Sequence, residues 1–533
     1  MWWLLASIWC IIYLVHAYLN RKSSPLLPAY ANNASRRASV RGGHVKTSLR
    51  FLQFKVTITS WNVAHDRLVS LLFKRRREPL VIFLEWFYNL GSVLGVAGML
   101  IAMAVLLRVS FVSGWTLLQK LNRPEGTHTL MRRGVDGGAG AVNNADATLA
   151  GLSTITPIIP GYTVPISHLP VIILAVFLSQ AIHEFGHAIA AALSALPMLA
   201  AGASFTVCIP AAFVSFSSAA MNGLRPSARA RIIAAGAYHN LVFWCFLMFV
   251  AWSGLLRVVS FVSGYENISS TGKAVVHINP DSPLSLHLAP GTIITKLDDT
   301  PASQWSTYLA ADEHELVQGW CLQNTVLGKT DECCHAHKSP LACFSVPSGS
   351  YRGCIDPVPI LTRPTDHDRC TSQMDCQTGN TCVFPERRAQ LLRLSLKDER
   401  VVLWSGPASE ILEEVRVDDW VPRIGILPRG LPTLLATFWE YLQMATLSLF
   451  FFNLLPLPFL DGSELLCTLM DLITDTEDTF SFDVEALEMG RGGVREGRGP
   501  LQRAKRHIAR YVPYGTLGIV IISSLSSIAN VLI

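Results

Sequence analysis

The chain is poor in charge. Only 16% of its 533 residues are Asp, Glu, Lys or Arg, against about 25% in an ordinary soluble domain, which excludes a purely water-soluble fold. Half of the residues are hydrophobic and the mean hydropathy is +0.34, so lipid is the solvent for much of the chain. The first segment, MWWLLASIWCIIYLVHAYL, lacks a basic leader and an Ala-x-Ala cleavage site, which argues for a retained anchor over a removed signal peptide. No internal repeat is evident along the chain, although membrane transporters are often built from repeats.

What is present is a series of apolar stretches of bilayer-crossing length, roughly 20 residues, at 1–19, 80–107, 168–196, 233–256, 432–456 and 514–533. They predict a polytopic α-helical membrane protein of about six spans. The stretch 197–219 is apolar but broken by Gly202, Pro210 and several serines, which suits a re-entrant β-hairpin. Positive charge gathers in a linker at 20–79, including Lys74 to Arg77, and in a loop at 475–512. The positive-inside rule makes both cytosolic. Threading the spans between them places 109–167 and 257–431 on the luminal side. The basic runs border membrane edges, so the net charge of +5 is a matter of topology and calls for no nucleic-acid partner.

Cysteine usage agrees with this threading. Cys10, Cys208, Cys245 and Cys467 fall in or beside apolar segments and read as core thiols. Cys321, Cys333, Cys334, Cys343, Cys354, Cys370, Cys376 and Cys382 cluster in the hydrophilic block 257–431, and an even number there suggests disulfides. A zinc knuckle at Cys333–His337 is the alternative. Asn267, in Asn-Ile-Ser, is a glycosylation acceptor on the luminal side, whereas Asn33 faces the cytosol and stays unmodified. The block opens with strand-like runs at Ala274–Ile278 and Ile293–Leu297. It closes with strand and short-helix patterns around "RLSLKDERVVLW" and "ASEILEEVRVDDW". This predicts a small β-rich domain interrupted by the cysteine-rich insert. The linker 20–79 contains LRFLQFKVTI, expected to lie against the membrane, and the Gly-rich stretch within 134–151 reads as a loop.

Within the span 168–196 stands His183-Glu184-Phe185-Gly186-His187. On a helix, residues four apart share a face, so both imidazoles reach one ion. Two neutral imidazoles are good zinc ligands, and the adjacent glutamate is placed to act as a general base toward a metal-activated water. The plain alternative is a pair of core histidines, but a glutamate buried in hydrocarbon is costly without a function. A catalytic zinc needs a third protein ligand. Glu85 and Glu440 lie in other spans without supporting context. Asp461 lies in FFNLLPLPFLDGSELL, where Pro456 and Pro458 break the helix and Gly462 permits a turn. Such a break at membrane depth is tolerated where it lines protein or a water-filled cavity. Otherwise Asp461 caps an ordinary following helix.

His-Glu-x-x-His in one span and Asn-x-x-Pro-x-Pro-x-x-Asp-Gly in a later one, here Asn453 to Gly462, form the paired signature of the site-2 protease family, which this chain resembles. Arg231–Trp244, with Gly236 and Asn240, resembles a further helix of that family. The segment 197–219 resembles its membrane-embedded hairpin, and the luminal block its PDZ-like domain with a cysteine-rich insert. The resemblance implies an intramembrane zinc metalloendopeptidase holding one Zn2+ per chain on His183, His187 and Asp461. Glu184 would be the catalytic base, with Asn453 and Asn240 toward the substrate. It also implies substrates of the membrane-anchored transcription factor precursor type, such as sterol-regulatory-element-binding precursors first cut in the lumen, and a Golgi or endoplasmic reticulum membrane. Two other functions fit the residues less well: a metal transporter, for which repeats are missing, and an inactive scaffold, against which the intact His183, Glu184, His187 and Asp461 argue.

Overall fold

The computed structural model describes residues 2–20, 45–75, 78–121, 164–207, 209–311, 318–327, 332–334, 341–346, 351–362, 368–386, 391–475 and 500–532. Asn33, the Gly-rich stretch 134–151, Cys208 and most of the basic loop 475–512 lie outside them. The chain forms two compact units, one drawn from residues up to Val250 and from Phe438 onward, the other from Ala251–Thr437.

The first unit is mostly helical, with one four-stranded sheet. Its elements are α1 (Trp2–Asn20), α2 (Ser60–Lys74), α3 (Pro79–Leu121), α4 (Leu169–Leu193), α5 (Pro226–Trp252), α6 (Leu431–Leu454, begun in the other unit), α7 (Asp461–Asp475) and α8 (Pro500–Leu532). Four described stretches are long and apolar enough to cross a membrane: Pro79–Lys120, Ile166–Leu193, Pro226–Trp252 and Arg503–Ala529. The other two expected spans are helices of 19 and 24 residues, α1 and α6. Helix α8 reaches back to Pro500, so the basic loop expected to end at 512 is helical in its last part.

In hydrocarbon, helices gain little from hiding apolar surface and associate where small residues let backbones approach. Helix α3 shows this along Gly91, Gly95 and Gly98. A Cβ at these positions would lie 2.5 Å from the Tyr238 ring, 2.9 Å from Ala234 Cβ and 2.6 Å from the Leu454 side chain. Facing them, α5 buries Ala230, Ala234, Ala235 and Ala237. Cys10 and Cys245 are exposed rather than in the core, because each falls on the outer face of its helix.

Residues 197–219 form the expected hairpin, β3 (Met198–Thr206) and β4 (Ile209–Phe216). The structure adds two strands that the sequence pattern did not signal. β1 (Val45–Arg50) and β2 (Gln53–Ile58) come from the linker and extend the hairpin into an antiparallel sheet ordered β1-β2-β3-β4. The run LRFLQFKVTI is therefore the turn and second strand of a hairpin, with β2 paired to β1 on one side and to β3 on the other, Val56 opposite Ala203. β4 remains an edge strand in this order.

The second unit is β-rich. Strands Lys273–Ile278, Ile293–Leu297, Leu391–Leu396, Val401–Ser405 and Val415–Asp418 lie in one six-stranded sheet. Val275, Ile294, Leu297, Leu394 and Ile411 are buried in its core. The cysteine-rich segment builds its own five-stranded sheet around Trp320, Phe344 and Val383. All eight of its cysteines are paired: Cys321–Cys376, Cys333–Cys354, Cys334–Cys343 and Cys370–Cys382. Non-reducing peptide mass spectrometry should recover these four linkages, and finding most of the thiols free would refute both the pairing and an oxidising surrounding. Asn267 is exposed at the end of a short strand. Enzymatic deglycosylation should shift the mass of the wild type but not of Asn267→Gln, which ties the side of the membrane to the same test.

Candidate metal centre

Helix α4 carries His183, Glu184 and His187. Both histidines are buried and their rings meet edge to face at 4.7 Å between centroids. The one-turn spacing places the two Nε2 atoms 3.1 Å apart. Asp461 begins α7, which follows the break made by Pro456 and Pro458. Phe459 in that break has φ of 71°, and Gly462 packs onto the carbonyls of Leu454 and Leu455, leaving no room for a side chain. This tight return brings Asp461 Oδ2 to 2.9 Å from His183 Nε2 and 3.2 Å from His187 Nε2. The three residues form a group able to hold a metal ion. Glu85 and Glu440 are not part of it.

The remaining ring nitrogens are held from behind. His187 Nδ1 meets the Ile232 carbonyl at 2.8 Å. The amides of Asn240 and Asn453 approach His183 Nδ1 at 3.3 Å and 3.5 Å. Helix α5 can come this close because residue 236 is glycine, whose Cβ, were there one, would stand 2.6 Å from His183 Nε2. Gly186 does the same on the opposite helix, against the Ala235 carbonyl and the His239 ring.

Glu184 points to the sheet. The Val214 amide of edge strand β4 donates to its Oε2 at 2.8 Å, and the Ala212 amide donates to Gln180 Oε1 at 3.1 Å. Outward amides recur every second residue on a strand, and helix side chains four apart share a face, so Gln180 and Glu184 match Ala212 and Val214. Sequence reasoning missed Gln180, the Ile232 carbonyl and His239, which meets Tyr88 Oη at 2.8 Å. Only Gln180 had a readable signal, its four-residue spacing from Glu184.

Helices of membrane-crossing length enclosing a two-imidazole, one-carboxylate donor set, with a glutamate beside it, define a multi-pass membrane protein of the His-Glu-x-x-His class. Residues 171–487, more than half of the chain, match the model described as Peptidase family M50, and the chain belongs to that family. It is also similar to an Arabidopsis thaliana protein described as a membrane-bound transcription factor site-2 protease homolog, with 27% identity over 150 residues. That match covers 28% of this chain and 28% of the relative, well short of two thirds of the relative's length.

Proposed function

We propose that the protein is an intramembrane zinc metalloendopeptidase that cuts a peptide bond within membrane-anchored substrates. The observation that carries this reading is the convergence of His183, His187 and Asp461 on one point inside an apolar helical unit, with Glu184 adjacent. The donor set fits zinc. Tetrahedral ligands at about 2.0–2.1 Å from an ion stand roughly 3.3 Å from each other, close to the 2.9, 3.1 and 3.2 Å found here. Asp461 Oδ2 is buried and stands 2.9 and 3.2 Å from the His183 and His187 Nε2 atoms, so the three atoms face a common centre. Asn240 Oδ1 is likewise buried without a partner. Turning that amide by half a rotation gives its oxygen to His183 Nδ1–H, which leaves the Nε2 lone pair free for an ion. The Ile232 carbonyl selects the same tautomer for His187.

Bound there, zinc would supply Lewis acidity and bring the pKa of a water to about 7. The chain's own residues do the rest. Glu184 takes up the proton and returns it to the leaving amine, its carboxylate oriented by the Val214 amide. Asn240 and Asn453 act on His183. Asn240 is fully buried and in this reading supports His183 in place of the substrate contact expected from the sequence. A substrate helix must unwind before hydrolysis, since its peptide groups are bonded internally. A substrate strand adding to the outer edge of β4 by β-addition would have to displace Gln180 and Glu184 from the Ala212 and Val214 amides.

The relative is described as a membrane-bound transcription factor site-2 protease homolog, which supports membrane-bound transcription factors as substrates; the sterol-regulatory-element-binding type and a first cut in the lumen are the finer part of this proposal. A Golgi or endoplasmic reticulum membrane and a PDZ-like character for residues 257–431 belong to the same reading. The test is cleavage of a membrane-anchored reporter by purified protein in bilayers, together with zinc analysis. An intact reporter with a fully zinc-loaded wild type would refute it. Gly236→Ala should push the imidazoles apart and weaken zinc binding by about 10–100-fold, as loss of supporting contacts around ligands does. Unchanged affinity by competition titration would show that α5 does not support the site.

A further inference from the structure

We infer that the β-rich unit has a foot that inserts into the bilayer interface, formed by the short helix Leu255–Val262 and the loop 423–429. The helix reads LLRVVSFV. Leu255, Val258, Val259 and Val262 recur at i, i+3, i+4 and i+7 and thus form one stripe. All four are exposed, Val262 at 78%, so no part of the described unit covers them. Arg257 lies on the other side of the helix and is also exposed.

The loop completes the surface. Ile426 is 92% exposed and Ile424 58%. The loop is tied to the helix at its start: the Arg423 guanidinium lies 4.0 Å from the Phe261 ring centroid, and the Arg423 amide donates to the Gly264 carbonyl at 2.9 Å. Tyr265 Oη donates to the Pro428 carbonyl at 2.9 Å, and strand Tyr265–Asn267 pairs with Trp420–Pro422. The foot is one fastened piece made from the two ends of the unit.

Chain connectivity identifies the occupant. The helix starts after Ser253 and Gly254, the latter at φ of 74°, directly behind α5. Three residue steps reach no more than about 10 Å, so the stripe cannot leave the neighbourhood of the membrane surface. Amphipathic helices at that level bury their apolar face roughly 5–10 Å into the headgroup and acyl boundary. Trp252, 85% exposed, suits the interface, where amphipathic aromatic rings collect. Arg257, Arg423 and Arg429 are available to lipid phosphates. At the other end the loop runs directly into α6, which begins at Leu431. A lipid surface therefore explains the stripe, the isoleucines and the flanking arginines together.

The test is nitroxide scanning of the full-length protein in phosphatidylcholine nanodiscs. Cys10, Cys208, Cys245 and Cys467 are replaced by serine, and labels are placed singly at Leu255→Cys, Arg257→Cys, Val258→Cys, Ser260→Cys, Val262→Cys and Ile426→Cys. Labels at 255, 258, 262 and 426 should collide more with oxygen than with a water-soluble nickel chelate. Position 257 should show the reverse order, giving a helical period through the segment. Nickel access at the stripe equal to that at 257 would overturn the proposal. Protection from both reagents would overturn it too, since it would mean that protein covers the stripe. As a check without labels, a lipid brominated near its headgroup should quench wild-type fluorescence more than that of Trp252→Phe, and equal quenching would count against the foot.

Discussion

Glu184→Ala should abolish peptide cleavage while zinc stays bound at the wild-type level. The carboxylate is not one of the three converging donors; it meets the Val214 amide instead. Removing it leaves the His183, His187 and Asp461 set intact and takes away only the group proposed to accept the proton. General-base catalysis contributes typically 10²–10⁴-fold, and within an apolar helical unit bulk water offers no substitute, so the loss should lie toward the upper end. Glu184→Gln is the sharper variant, since its amide can no longer accept the proton at neutral pH but keeps the size of the side chain. Metal analysis beside reporter turnover checks both. Loss of zinc in either variant, or turnover near the wild-type rate, would show that the roles are wrongly assigned.

Asp461→Ala should lower zinc occupancy and activity together. Asp461 supplies the only carboxylate oxygen in the donor group, at 2.9 and 3.2 Å from the two imidazoles. Its loss leaves two ligands where a catalytic zinc normally has three. It also leaves two buried imidazoles facing each other with no anion between them. Asp461→Asn keeps the shape and helix start but removes the charge, and should fall between alanine and wild type in affinity. Adding excess zinc should partly restore Asp461→Asn but not Glu184→Ala, which separates a ligand from a base. Full occupancy with normal turnover in Asp461→Ala would exclude it from the metal centre.

Much of this site is legible in one dimension because its parts are local. The His183–His187 spacing is a property of a single helical turn, and Glu184 comes with it. Pro456, Pro458 and Gly462 mark a break without any knowledge of what the break faces. The apolar runs announce the helices because burial in lipid demands uniform hydrophobicity over a fixed length. The supports of the site are another matter. The Ile232 carbonyl on His187 and the Val214 amide on Glu184 are main-chain groups that any residue would offer, so they leave no trace in composition.

The same holds for β1 and β2. Their run of mixed polarity resembles a surface linker, and only the unpaired side of β3, more than a hundred residues away, turns it into sheet. The cysteines agree: their number and setting indicate disulfides, yet about a hundred pairings are possible. The choice of Cys321 for Cys376 rests on the pairing of strand Gly319–Gln323 with Arg369–Cys370 and Asn380–Pro385, which brings the turn ending at Cys376 beside it. Sequence by itself determined the chemistry carried within one turn or one break and the solvent of each segment. Tertiary structure decided which distant backbone groups orient that chemistry, because hydrogen bonds from the main chain depend on position in space and not on residue type.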